Sequence, residues 1–380
     1  MSRPAWWIAL LFALVMPLCL LVATAEQPAD DIAKVEKGLF KDPKGPRWTI
    51  QERLEFHQVP GVSVAVVRDK KIAWAKGYGI AEVGSKAPVS IQTLFQAASM
   101  SKPIAALLAL LLADQGKLDI DEDVNKYLKR WKVPDNAFTR KKKVTIRDLV
   151  CHSAGVTVHG FRGYDGDQPY PSLVEVLNGE KPANSPAITV DMNPGEKFRY
   201  SGGGYCILQL LIEDVTGKDF AEVAQAMVLD PIGMKQSHYR IPKKADPKSY
   251  AAGHSVKGTV IAGTRNSHPE SAAAGLYTTP SDYAQFGIFY MNKGKIGAKQ
   301  LLTVKRVDDI LRKQAPNQEV GLGVFLSPGV FGHGGSNIGF RCNSLFFTAN
   351  GAGVIVMTNG DRGSLVAQEI TNSVREAYGF

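Results

Sequence analysis

Apolar runs short enough for strands bracket this chain, and between them the apolar spacing lengthens to that of helices. Val62 to Val67 and Lys71 to Gly77 read as two strands joined by the polar turn Arg68 to Lys70. The far end repeats the arrangement, with Phe340 to Thr348 and Ala352 to Thr358 around the hairpin turn Asn350-Gly351. A helix is predicted before the first pair, from Trp48 to His57, and an amphipathic one after the last, from about Leu365 to Tyr378. The middle is mainly helical. Pro103 to Ala113 is almost wholly apolar, and Tyr205 to Val215 is apolar, helix-length and stopped by Gly217. Thr145-Ile146-Arg147-Asp148 resembles a capping box, and Thr279-Pro280-Ser281-Asp282 supplies an N-cap, an N1 proline and a first-turn acid.

Strands at both ends with helices between them predict a mixed α/β (α+β) protein. Distant chain segments would form one antiparallel sheet, from approximately 47–98 and 270–380, and 99–269 would form an inserted helical part, with a cleft at the join. Neither an internal repeat nor a low-complexity tract is present. A length of 380 residues with 44% hydrophobic side chains is enough for a substantial core. The first 25 residues stand apart: Arg3, an apolar run from Trp6 to Val22 and then Ala23-Thr24-Ala25 have the pattern of a cleavable secretory signal. That pattern predicts a periplasmic or secreted protein, cut after Ala25 and without a membrane span thereafter. Met16-Pro17-Leu18 before Cys19 lacks the small residues of lipoprotein processing.

Cys151, Cys206 and Cys342 remain after cleavage, an odd number with no Cys-x-x-Cys spacing, so neither a dense disulfide framework nor a zinc knuckle is written here. The formal charge is +9, part of it in Lys129, Arg130, Lys132 and the run Arg140 to Lys143. No aromatics interleave with that run, which argues for a solvated loop and against a nucleic-acid partner. The seven histidines are scattered and no His-Glu-x-x-His stretch occurs, so no catalytic metal is expected. His159 and His254 could line the cleft, although surface positions are the stronger expectation.

Candidate chemistry begins at Ser99-Met100-Ser101-Lys102, where a helical repeat sets Lys102 beside the Ser99 hydroxyl. Such a pair suits nucleophilic catalysis; as an isolated pattern, Ser99 could equally be a helix cap and Lys102 a solvated charge. Two glycine-rich segments follow. Tyr200-Ser201-Gly202-Gly203-Gly204 leaves a tyrosine hydroxyl accessible before an apolar helix, and His333-Gly334-Gly335-Ser336 precedes a strand, where a substrate could lie along its edge.

Taken together, the three segments occur in the order and approximate spacing of the motifs of the penicillin-recognising serine enzymes. From about Trp48 to Phe380 the chain resembles the branch that holds class C beta-lactamases, D-alanyl-D-alanine carboxypeptidases, D-aminopeptidases and family VIII carboxylesterases. Leu149-Val150-Cys151-His152-Ser153-Ala154-Gly155 and Ala272-Ala273-Ala274-Gly275-Leu276 resemble two supporting stretches of that family. The resemblance implies a beta-lactamase/transpeptidase-like fold and a serine hydrolase that works through a Ser99 acyl-enzyme without metal or organic cofactor. Its substrate would be a small molecule or a peptide-like one: an ester, a D-amino-acid peptide or a beta-lactam. Lys102 would activate Ser99, and Tyr200 would shuttle protons to the leaving group. His333, with Gly334, Gly335 and Ser336, would bind substrate, His333 as a cation or donor facing a carboxylate. The backbone N–H groups of Ser99 and Ser336 would form the oxyanion hole. Two departures weaken a beta-lactamase reading: Gly202 stands where the family usually has an asparagine that holds an acyl-side amide, and Gly334 lacks a hydroxyl often found there. Glu175-Val176-Leu177-Asn178 is one residue short of the class A deacylation stretch. The non-enzymatic alternative on the same fold is a penicilloyl sensor or binding protein.

Overall fold

The computed structural model describes residues 28–165, 170–241 and 246–380. The export pattern and Cys19 lie outside the described residues. Helix α1 (Pro28–Lys37) is followed by α2 (Ile50–His57), whose N-terminus is closed by a capping box in which Thr49 and Glu52 satisfy each other's backbone N–H groups. Strands β1 (Gly61–Arg68), β2 (Lys71–Glu82) and β3 (Ala87–Pro88) come next. The second strand continues past Gly77 because the glycines there admit a neighbouring backbone: a Cβ on Gly77 would lie 2.4 Å from the Val89 carbonyl oxygen.

The helical portion contains α3 (Ser101–Asp114), α4 (Ile146–Val150), α5 (Gly202–Thr216), α6 (Ser271–Ala274) and α7 (Pro280–Met291). Thr145 and Thr279 cap α4 and α7 by accepting the N–H groups of Asp148 and Asp282. The remaining strands are β4 (Phe325–Ser327), β5 (Val330–Asn337), β6 (Phe340–Phe347) and β7 (Ala352–Thr358), and α8 (Gly363–Tyr378) closes the chain. They join the first three in one antiparallel sheet of order β4-β5-β6-β7-β1-β2-β3.

The central strands are buried along almost their whole length, the pattern of a sheet covered on both faces. On one face Val62, Val64 and Val66 meet Val366, Ile370 and Val374 of α8; the other joins the larger core built around α3 and α5. Twelve of the fourteen residues of α3 are buried, so this helix is apolar on every side and runs through the middle of the molecule. Among the described residues no helix is long and apolar enough to cross a membrane.

Candidate active site

Ser99 sits in a short 3-10 turn, Ala98–Met100, directly before α3. Its hydroxyl caps nothing; Lys102 Nζ lies 3.0 Å from it. Lys102 is 2% exposed, and its amine also donates to the Ala273 carbonyl of α6 at 2.7 Å, which fixes the long side chain beside the serine. The turn is held from several sides. Ser101 Oγ donates to the Ala98 carbonyl and accepts the Leu276 N–H, while Tyr283 and Tyr239 donate to the carbonyls of Met100 and Ser101. Ala98 itself adopts φ 50°, a left-handed conformation strained for a residue with a Cβ, and these contacts enforce it.

Tyr200 reaches the site from the loop before α5. Ser201 caps that helix, its hydroxyl accepting the Gly204 N–H, and the helix therefore begins at Gly202, three residues ahead of the apolar run. The Tyr200 ring stands 5.0 Å from Lys102 Nζ, between the rings of His152 at 4.2 Å and His159 at 4.8 Å, with Phe325 stacked at 6.3 Å. His152 positions this loop twice over, because its Nδ1 also accepts the Ser201 N–H at 3.1 Å. Burial, reinforced by the Lys102 charge, drives the His152 pKa well down, so it serves as a neutral acceptor.

The glycine-rich segment at His333 does not precede a strand; it is β5. Beyond residue 332 the outer edge of β5 has left its partner β4, whose pairing covers only Val330 to Gly332. Gly335 lets this edge approach the Ser99 turn, since a Cβ there would stand 2.2 Å from the Ala97 carbonyl oxygen and 3.3 Å from Ala98 Cβ. His333 is 5% exposed, and burial together with the Lys102 charge lowers its pKa to about 3. Its Nδ1–H donates to the Gly334 carbonyl at 2.6 Å, which leaves Nε2 as a lone-pair acceptor. At neutral pH the geometry thus offers an uncharged imidazole where a cation or donor was expected.

Ser99, Tyr200, His333, Gly334, Gly335 and Ser336 all line one cleft of about 1040 Å³, and Lys102 lies beneath its floor. Of the two histidines weighed between surface and cleft, His159 lines the same cleft, and His254 does neither, being fully buried and bonded to the Asn359 carbonyl. Asn337 and Gln96 escaped the sequence reading. Asn337 donates to Gln96 and to the Ala274 carbonyl, so it ties the end of β5 to the helix whose Ala273 holds Lys102. A polar residue at the end of a glycine-rich strand was the available signal. Cys151, Cys206 and Cys342 are buried free thiols. Among the described residues no cluster of three His, Cys, Asp or Glu side chains is placed to hold a metal ion.

Comparison with known proteins follows this geometry. Protein flp of Staphylococcus aureus (strain N315) is 27% identical over 237 residues, which are 62% of this chain and 44% of that protein. The teichoic acid D-alanine hydrolase of Staphylococcus aureus (strain MRSA252) is 26% identical over 241 residues, 63% of this chain and 56% of the relative. The chain thus spans about half the length of these curated relatives. Among solved structures, the octameric penicillin-binding protein homologue from Pyrococcus abyssi superposes with a TM-score of 0.71 at 23% identity, over 87% of this chain and 76% of the other. FmtA from Staphylococcus aureus gives a TM-score of 0.66 at 22% identity and 86% coverage of both chains. These two likenesses establish the beta-lactamase/transpeptidase-like fold. The Beta-lactamase family profile matches residues 47–378, nearly all of the described chain, and the protein therefore belongs to the beta-lactamase family.

Proposed function

We propose that this protein is an exported serine hydrolase that cleaves a carboxylic ester or a D-amino-acyl ester or amide through an acyl-enzyme on Ser99. The 3.0 Å approach of Lys102 Nζ to Ser99 Oγ, under a tyrosine ring in the same cleft, is the observation that carries it. Ser99 Oγ attacks the substrate carbonyl carbon while its proton passes to the Lys102 and Tyr200 pair. The carbonyl oxygen takes up the negative charge between the backbone N–H groups of Ser99 and Ser336. The bond to the leaving oxygen or nitrogen then breaks, and Tyr200 returns a proton to that atom. Water adds to the acyl carbon in the second half, gives its proton to the same pair and releases the acid as Ser99 is reprotonated.

Three features favour an ester or D-amino-acyl donor over a beta-lactam. Gly202 brings no amide to the cleft, His333 is neutral, and one relative is a teichoic acid D-alanine hydrolase. Export rests on the Arg3 to Ala25 pattern. The test is to incubate the protein and Ser99→Ala with p-nitrophenyl acetate, a D-alanyl ester, a D-alanyl dipeptide and a fluorescent penicillin. Turnover of at least one of the first three, lost by about 10³-fold or more in Ser99→Ala, is expected. Labelling by the penicillin without turnover of anything would favour the sensor alternative.

A further inference from the structure

Glycine at position 202 reflects occupied space. A Cβ built there meets Phe161 Cε2 at 3.0 Å, the His159 carbonyl oxygen at 3.1 Å and Gly160 Cα at 3.4 Å. The region beside Tyr200 that a larger residue 202 would fill is taken by residues 159–161. This segment is pinned down: the Gly202 and Gly203 N–H groups donate to the carbonyls of His159 and Val158, both at 3.0 Å, and Val158 turns the chain with φ 61°. Two of the amides that a helix leaves unpaired at its N-terminus are thus used to hold the segment against the site. Phe161 is half-buried and packs onto the main core, yet still lines the cleft.

The lining residues give the cleft a direction. His159 packs on Tyr200 and Phe161 lines the cleft beside it, Tyr200 faces Phe325 and His333, β5 pairs with β6, and on β6 Asn343 and Leu345 lead to Gln368, Asn372 and Arg375 of α8. One end is therefore walled by the Phe161 ring and the other is lined largely by polar side chains. During turnover the acyl group stays on Ser99 while the leaving group departs and water enters, so we assign the leaving group to the polar end and the acyl group to the walled one.

We infer that Phe161, held by the 159–161 segment over Gly202, is a specificity-determining residue that restricts the acyl group to a few carbon atoms. The inference rests on the serine hydrolase reading of the same site. It is tested with p-nitrophenyl esters from acetate to octanoate, whose leaving group is constant. The protein should cleave the octanoate at least about tenfold less efficiently than the acetate, and Phe161→Ala should raise the octanoate-to-acetate ratio of kcat/KM about tenfold. Phe161→Leu, a smaller perturbation, should move the ratio part of the way, and Phe161→Trp should lower it. Acetate turnover that persists while the ratio stays fixed in all three variants would overturn the inference alone. Absence of both ester turnover and any adduct on Ser99 would overturn it together with the hydrolase reading.

Discussion

Glu270 is fully buried one residue before α6, and neither carboxylate oxygen has a hydrogen-bond partner. Burial raises its pKa to about 7, only partly offset by its own backbone N–H and then by the nearby Tyr164 hydroxyl; Cys206 lies within reach of its charge. The folded state therefore holds a proton that the unfolded chain releases above its ordinary value near 4.5, and stability falls as pH rises from about 4.5 to about 7. Glu270→Gln should remove most of that fall, worth about 3 kcal/mol across the window, and chemical denaturation of both proteins at pH 5 and pH 8 measures it. His152, His268 and His333 act in the opposite sense. Burial lowers all three, so the stability they contribute is present above about 6.5 and is lost as acid forces protons onto them. At this scale the sequence pointed to Ser99, Lys102 and Tyr200 as candidates, which the fold brings together, because their types and spacing are local properties. It did not show the neutral state of His333 or the isolation of Glu270, which depend on what distant segments pack around them.

At the scale of elements, the strand edge beside Ser99 depends on a missing side chain. Gly335→Ala would drive a Cβ into the Ala97 carbonyl, so β5 must move away from the Ser99 turn. We expect a loss of about 1–3 kcal/mol in stability and about 10²-fold or more in kcat, read by thermal unfolding and ester hydrolysis, because the donors on β5 leave the reacting atoms. The hairpins and the capped helices were legible, since alternation, Asn350-Gly351 and the threonine caps are short-range signals. Strand β5 was not: Gly332, Gly334 and Gly335 give it no apolar alternation, and pairing with β6 along its length, with β4 at its start, makes it a strand. The start of α5 was missed for a related reason. Three glycines are poor helix formers, and the Ser201 cap with the 159–161 segment outweighs that preference.

For the whole molecule, sheet strands from both ends of the chain meet at β7 and β1, which brings the strand edge carrying Ser336 to the turn bearing Ser99 and the helix bearing Lys102. That convergence was readable as an expectation from two distant hairpins, and the fold of related structures agrees with it. The acyl donor was not readable, because the cleft is shaped by the 159–161 segment and by α8, and neither carries a sequence motif. On the proposed reading, Ser99 forms a covalent acyl-enzyme. Rapid acid quench of the protein with an ester that it turns over, followed by intact and peptide mass spectrometry, tests this directly. A mass increase of one acyl group is expected, located on the peptide containing Ser99 and absent in Ser99→Ala. Turnover with no adduct on that peptide, or with undiminished turnover in Ser99→Ala, would contradict it.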